Sequence, residues 1–443
     1  MRSRPLRSRT LVGAVVATSI ALAACGSDDS DADDPAPATT ASDATPATTT
    51  ADTAGASPTR AAASPTTAAS GDLDCVPRGT ADDAFPDKVE PEYSTQWSIE
   101  YHGTYAVLTV PDSEYPDRGD LNYVLVPCGV DAPELTGDLA DAAQFTVPVQ
   151  RTAINHNNGV AMLDQLGVIS TVGGMSTSQL DLAGDPYMDG LLAEANDPVS
   201  IAESGDEVLY EATLGVEPDI VIMAGYGTGY NSVNDATERG LPAVMVSNRI
   251  ERAPLASAEW MKFLSVFYGV EQLANDRFTE IEAAYDEAAS TVAGTLPADF
   301  SAAYLCIEPD NGCEFVYAHG TSSFNGTILD TLGVTNPFAE GNDAPNGHNF
   351  DYEATLGRAA DIDFIIDYEL PEAVTATLEA DPRFQELAAF AEGNYITYVP
   401  ENYAFCRFNL YVQVDIPITD FAIGMAPELF PGETGRCFAP PAG

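Results

Sequence analysis

The chain has 443 residues, with 68 acidic side chains against 18 Lys and Arg, a formal charge of −50 and an isoelectric point of about 4.1. A field of that sign opposes nucleic acid and anionic lipid head groups, so nucleic-acid binding is excluded, and neutral or cationic ligands are favoured wherever salt leaves the field unscreened. The length exceeds one ordinary domain and suits two lobes with additions.

Residues 1–25 read as an export signal. Arg2, Arg4, Arg7 and Arg9 form a basic start, and Leu11 to Leu22 an apolar run too short to span a bilayer comfortably. Leu22-Ala23-Ala24-Cys25 resembles the bacterial lipoprotein processing box. That resemblance implies a lipidated Cys25 as the mature N-terminus, and a protein anchored to the outer face of the cytoplasmic membrane. Residues 26–74 are Ala, Thr, Ser, Pro and Asp with almost no large apolar side chain. They cannot bury enough surface to offset ordering, so they are expected to be a disordered tether with a reach of about 40 Å.

Cysteine usage agrees with export. Beside Cys25, six remain: Cys75, Cys128, Cys306, Cys313, Cys406 and Cys437. An even set in an exported chain implies disulfides, and short loops favour Cys75–Cys128, Cys306–Cys313 and Cys406–Cys437 among the roughly fifteen pairings. No Cys-x-x-Cys or His-x-x-x-His spacing supports zinc, and no metal site is assigned.

Residues 75–146 form a β-rich prefix: Trp97, Ile99 and Tyr101 alternate before His102-Gly103, Tyr105, Val107 and Thr109 after it, and Leu121 to Val126 adds a strand. Residues 147–256 form a first lobe. Its strands are expected over 147–154, 219–224 and 243–246, with the polar cluster Asn155-His156-Asn157-Asn158 opening a helix. The loop Gly225-Tyr226-Gly227-Thr228-Gly229-Tyr230 is not a dinucleotide fingerprint, because Tyr230 stands where glycine is required. Residues 257–296 are a connecting helical segment broken at Gly269. Its second part carries Leu273, Phe278, Ile281, Tyr285, Ala288 and Val292 at helical steps. Residues 297–443 form a second lobe.

Two echoes tie the lobes together. Leu163-Asp164-Gln165-Leu166-Gly167-Val168 returns as Leu329-Asp330-Thr331-Leu332-Gly333-Val334, which places Ser322 opposite His156. Tyr210-Glu211-Ala212-Thr213-Leu214-Gly215 returns as Tyr352-Glu353-Ala354-Thr355-Leu356-Gly357, each copy running into an apolar strand. The ordered pair predicts an α/β protein of two Rossmann-like lobes on one plan, joined by a single long helix, with the β-rich prefix in front.

The strand–polar–helix unit at 152–167, Pro218-Asp219 before its strand, the helix pair at 260–289 and the Leu-Gly-x-x-Asn-Pro-Phe run ending at Phe338 together resemble the substrate-binding lipoproteins of bacterial ABC importers. The resemblance is to the type with a rigid connecting helix, which handles ferric siderophores, cobalamin, haem and some metals. It runs from about residue 147 to the C-terminus and leaves the prefix and the disulfides outside the pattern. It implies a monomer that binds a small molecule between its lobes, uses no cofactor and works with a membrane permease and its ATPase. Glu211 and Glu353 fall where such proteins meet permease arginines. The implied ligand contacts in the first lobe are Asn155, His156, Asn157, Tyr226, Tyr230, Arg249 and Arg252. In the second they are His319, Ser323, Phe324, His348, Asn349 and Tyr403, rings giving flat contact area and polar groups setting orientation.

A ferric chelate, with a hydroxamate favoured by the acidity, is the expected ligand. Cobalamin, haem, or a bare metal held by His156, His319 and His348 are the alternatives within that class. Outside it stands a surface lipoprotein used for sensing or adhesion. An enzyme is not expected: there is no Gly-x-Ser-x-Gly, no His-Glu-x-x-His and no paired-carboxylate pattern beyond composition.

Overall fold

The computed structural model describes Cys75 and residues 79–441, apart from 81, 113–118, 204–207, 226–228, 310–311 and 314. The export signal, Cys25 and the tether lie outside the described residues. Among those described, no helix is long and apolar enough to cross a membrane.

The prefix is a four-stranded sheet in the order β1 (Ser98–Tyr101), β2 (Ala106–Val110), β3 (Leu121–Pro127), β4 (Ala143–Val147). The first three are antiparallel and β4 runs parallel to β3. Gly103 turns the hairpin at φ +76, and a Cβ there would also meet the Asp82 carbonyl oxygen at 2.8 Å. Val147 pairs with Pro127 as the last residue of β4. The single strand expected over 147–154 is therefore two strands in two sheets.

Lobe one comprises β5 (Thr152–Ile154), α1 (Asn157–Gln165), β6 (Val172–Ser176), α2 (Thr177–Leu180), α3 (Pro186–Glu194), β7 (Val199–Ala202), α4 (Tyr210–Val216), β8 (Ile220–Ala224), α5 (Gly229–Glu238) and β9 (Ala243–Val246). Its sheet is parallel throughout, in the order β7-β6-β5-β8-β9. The connector is α6 (Pro254–Ala258), α7 (Trp260–Tyr268) and α8 (Glu271–Val292), with Gly269 ending α7 at φ +67. Along α8 the inward set is Ala274, Phe278, Ile281, Tyr285, Ala288 and Val292, with Glu271 also buried; Leu273, expected inside, is only half-buried.

Lobe two comprises β10 (Ala302–Cys306), β11 (Val316–His319), α9 (Phe324–Thr331), β12 (Gly347–Phe350), α10 (Tyr352–Ala359), β13 (Phe364–Asp367), α11 (Pro371–Ala380), α12 (Ala388–Glu392), β14 (Tyr395–Tyr398), α13 (Tyr403–Asn409), α14 (Asp415–Met425) and β15 (Phe438–Ala439). The sheet order is β12-β11-β10-β13-β14-β15, parallel at its centre and antiparallel on both flanks.

Each sequence echo is the same physical device in both lobes. The first is a helix stop. Gly167 and Gly333 take φ +66 and +74; their N–H groups donate to Asp164 and Asp330, and those of Val168 and Val334 to Leu163 and Leu329. That is the Schellman pattern, which satisfies the last carbonyls of α1 and α9. The second echo is a helix followed by an acidic staple. Thr213 and Thr355 are the fully buried residues of α4 and α10. Beyond each helix an aspartate reaches the start of the lobe's first strand: Asp219 Oδ2 accepts from Gln150 and Arg151 N–H at 2.9 Å, and Asp363 Oδ2 from Ser301 N–H at 2.8 Å. The following strands, β8 and β13, then lie parallel to β5 and β10.

The prefix is knit to lobe one and the connector. Phe263 of α7 meets Trp97 and Tyr123 edge-on, and Phe267 meets Phe145. Glu259, fully buried, accepts the consecutive N–H groups of Glu92, Tyr93 and Ser94 at 2.7–2.9 Å and pairs with Lys262 at 3.0 Å. A buried carboxylate costs heavily unless so paired and bonded, and this one is. Asn275 and Glu282 on α8 bond Lys88 and Tyr93 of the prefix.

All three disulfides pair as loop closure favoured, with Cα separations of 5.5, 6.1 and 5.5 Å. Cys406–Cys437 ties α13 to the segment before β15, where Asp420 of α14 accepts the N–H groups of Arg436, Cys437 and Phe438.

Candidate functional site

The site begins where lobe-one strands end. After β5, His156 caps α1: its Nδ1 accepts from Gly159 N–H at 3.1 Å. The proton of the neutral ring therefore sits on Nε2. That atom is buried and has no hydrogen-bond partner among the described residues. Burial, with Arg249 adding, lowers the His156 pKa to about 3, so the ring is neutral at physiological pH.

Arg249 follows β9 in a short 3-10 turn, and its guanidinium lies 4.7 Å over the ring of Tyr411. Tyr411 in turn packs on Phe324, the first residue of α9, at 4.3 Å between centroids. On the lobe-two side, His319 at the end of β11 stands edge-on to Tyr304 and Tyr317, 5.0 and 5.8 Å away. Tyr304 stacks on Tyr368 at 5.2 Å and shares a hydrogen bond with Tyr398, and Tyr398 meets Tyr403 edge-on at 5.4 Å. Burial, then Arg249, lowers the His319 pKa to about 4, and its Nδ1 is another buried atom without a partner among the described residues. Burial holds the phenols of Tyr304, Tyr368 and Tyr398 protonated, well above their ordinary range. The charge of Arg249, from lobe one, acts on His156, His319 and Tyr398 alike, lowering all three.

Tyr403 and Tyr411 arrive on a C-terminal strap that crosses back to lobe one. Asn158 Nδ2 of α1 donates to the Phe408 carbonyl at 2.8 Å, and Ser257 Oγ of α6 to the Tyr411 carbonyl at 2.8 Å. Asn248 Nδ2 donates to that serine at 3.2 Å, completing a buried clasp.

The structure thus brings together His156, Arg249, His319, Phe324 and Tyr403, with Asn155 buried beside His156. It separates others. Ser323 is fully buried and spent as the cap of α9: Oγ accepts from Gly326 N–H and donates to the Gly320 carbonyl. The cap roles make Ser323, and not Ser322, the counterpart of His156, because α9 is one residue shorter than α1 at its start. Asn157 accepts from Gln179 within lobe one. His348 is exposed on edge strand β12, opposite Ala318 and against Phe350. Successive strand residues face opposite sides, so it lies on the other face of the sheet from His319 and cannot join a His156–His319 pair. Asn349 bonds the Gly312 carbonyl near Cys313, and Arg252 is exposed on the turn before α6. The buried Glu251 beside these arginines accepts from Ser94 Oγ and Trp260 Nε1. Tyr226 and the side chain of Tyr230 lie outside the described residues. No cluster of three or more His, Cys, Asp or Glu placed to hold a metal occurs among the described residues.

Tyr304, Tyr368, Tyr398 and Tyr411 were missed as site residues. Tyr368 and Tyr398 stand at the C-terminal ends of the parallel strands β13 and β14, where open α/β sheets place ligand contacts. The rule that picked out the polar cluster after β5 in lobe one finds these two when carried to lobe two.

No family model matches the sequence, and no curated protein matches it. Solved structures do. A periplasmic haem-binding protein from Pseudomonas aeruginosa aligns with a TM-score of 0.50 at 15% identity, over 66% of this chain and 99% of its own. The molybdate periplasmic binding protein MolA of a Haemophilus influenzae ABC transporter aligns with a TM-score of 0.51 at 12% identity, over 64% of this chain and 87% of its own. The fold is that of the periplasmic binding proteins. Arg249, two neutral imidazoles and a group of tyrosines stand together near the strand ends of that fold.

Proposed function

We propose that the protein is the solute-binding lipoprotein of an ABC importer, capturing a ferric chelate between its lobes and delivering it to a membrane permease served by an ATPase. The observation that carries this reading is a ring assembly from lobe two beside Arg249 of lobe one: flat tyrosine faces with few polar groups suit a bulky, rigid chelate. Lipidation at Cys25 would anchor the protein to the outer face of the membrane, and residues 26–74 would let the body reach the permease as a monomer. Glu211 and Glu353 are exposed in the first turns of α4 and α10. Two fixed charges on matching elements suit registration against a cationic partner surface.

The test is equilibrium dialysis of the purified protein against ferric hydroxamate and catecholate chelates, haemin, cobalamin and zinc. Micromolar or tighter binding of an iron chelate is expected, and failure of all of them would end the reading. Both tryptophans are buried in the packing of prefix and connector, so absorbance of the probe is a better signal than tryptophan quenching. With binding intact, Glu211→Lys and Glu353→Lys together should lower uptake in cells by tenfold or more, roughly the effect of reversing two interface charges.

A further inference from the structure

The repeated hexapeptide keeps more than its inward residues. Thr213 and Thr355 are buried against their lobes, and that role explains their identity. Glu211, Leu214 and Gly215 lie three and four residues apart on one outward face of α4, as Glu353, Leu356 and Gly357 do on α10. Both glutamates, both glycines and Leu214 are exposed, and Leu356 is half-buried. Nothing in the fold asks for glycine at these two positions. Neither takes a positive φ, and a Cβ built on either meets nothing within 4 Å among the described residues. Neither ends its helix: α4 stops at Glu217, itself at φ +49, and Gly357 lies inside α10. Alanine would suit both helices better, since glycine loses more freedom on folding and packs nothing. The surroundings match as well, with Arg239 4.1 Å over the Tyr210 ring and Arg383 5.0 Å over that of Tyr352.

An exposed glycine that its own helix does not need leaves room for another backbone to come close, and the same room is left twice. Lobe one adds apolar surface. Val199, Leu209 and Leu214 are three of the four large apolar side chains exposed among the described residues, and all belong to β7, α4 or its cap. Resting on the docking reading above, we propose that each Glu-x-x-Leu-Gly face is a close-approach seat for a segment of the permease. The segment's main chain passes over the glycine while a cationic side chain meets the glutamate. Lobe one, with its exposed leucines, is the stronger seat. A second copy of this chain does not fit, because a charge of −50 repels its like and the face itself carries an acid. The same field opposes an anionic lipid surface.

The test follows uptake of radioiron, given as ferric trihydroxamate or ferric tris-catecholate, in cells whose only copy is the full-length protein or a variant. Dialysis against the same chelates checks that solute binding is unchanged. Gly215→Ala with Gly357→Ala should raise the Tm by about 2 °C and yet lower uptake about tenfold, a pairing that damage to the fold cannot give. Gly215→Ala alone should cost more uptake than Gly357→Ala alone. Gly190→Ala, at an exposed glycine inside α3 that also meets nothing within 4 Å, should stabilise similarly and leave uptake unchanged. A loss of uptake in Gly190→Ala as large as in the double variant would overturn the proposal. Full uptake in the double alanine variant, with loss in Glu211→Lys and Glu353→Lys, would overturn the seat and leave docking by charge in place. Loss in neither set would end the docking reading and this inference together, as would wild-type cells that take up neither chelate. Sedimentation showing a dimer that the alanines dissolve would make the face a contact between copies, and would overturn the proposal too.

Discussion

The two lobes share a scaffold and divide the chemistry. Lobe one is parallel throughout, whereas lobe two replaces the helical crossover after its first strand with the β10–β11 hairpin bridged by Cys306–Cys313. Where the scaffold is equivalent the side chains are either identical, as in the two helix stops and the two aspartate staples, or informative. At the N-cap of α1 and α9 the lobes carry His156 and Ser323, and both accept the N–H three residues on. The serine has nothing left over. The histidine has a second nitrogen, buried and without a hydrogen-bond partner among the described residues. Lobe one thus contributes charge and a donor, and lobe two contributes rings. The lesson is that the repeated plan keeps what holds the backbone, while the proposed solute contacts fall at equivalent positions that differ.

Cutting the strap that joins the lobes should have the largest effect. Cys406→Ser with Cys437→Ser removes a crosslink closing 31 residues, worth about 3–4 kcal/mol by the chain-entropy argument. Denaturant unfolding should register that loss, and hydrogen exchange should rise across 403–411 more than in α1. Equal exchange in both would mean that the clasp alone holds the strap.

Acid should come next. His156 and His319 titrate near 3 and 4 when folded, below the ordinary value of about 6.5 in the unfolded chain. The unfolded state therefore binds more protons between those limits. Stability is complete above about pH 6.5 and falls as pH drops towards 4 and 3, by on the order of 2 kcal/mol per histidine at pH 5. A double variant, His156→Ser with His319→Phe, should flatten that limb of a stability-against-pH curve. An unchanged slope would place both imidazoles in contact with water.

The caps give the smallest and sharpest contrast. Ser323→Ala should cost about 1–2 kcal/mol, since a buried N–H loses its acceptor. His156→Ser keeps an acceptor for Gly159 and should cost about 0.5 kcal/mol or less, yet weaken solute binding severalfold. Thermal denaturation and dialysis on the two variants would separate cap from contact. Equal binding by His156→Ser and the wild type would reduce His156 to a cap.

Much of the scaffold was legible because local chemistry repeats. Leu-Asp-x-Leu-Gly-Val encodes a helix stop wherever it occurs, Gly269 can end a helix only by its positive φ, and nearby cysteines pair cheaply. Strands β6 and β7 were not legible: β6 is Val-Gly-Gly-Met-Ser, and β7 has four residues. Gly174 is required by closeness, as a Cβ there would lie 2.7 Å from Ile201, a fact of packing and not of pattern. The site was legible only in part. His156, Arg249 and His319 stood out as types, but Asn158 meets the Phe408 carbonyl across 250 residues, and no periodicity encodes a contact of that span. His348 misled because composition gives no face, and net charge, a sum over a surface, does not say which charges stand at the site.

The grip of the prefix on α8 has a mechanical consequence. Its hydrogen bonds reach Asn275 and Glu282, and Tyr285 is already bonded to Thr331 of lobe two at 3.2 Å. Three residues, about 4.5 Å of helix, separate the last point splinted from one side and the first held from the other. So short a free length resists flexing, and the added sheet turns the rod between the lobes into a beam clamped near both ends. A body framed that way should change shape little when a solute binds, which small-angle scattering with and without the solute would show.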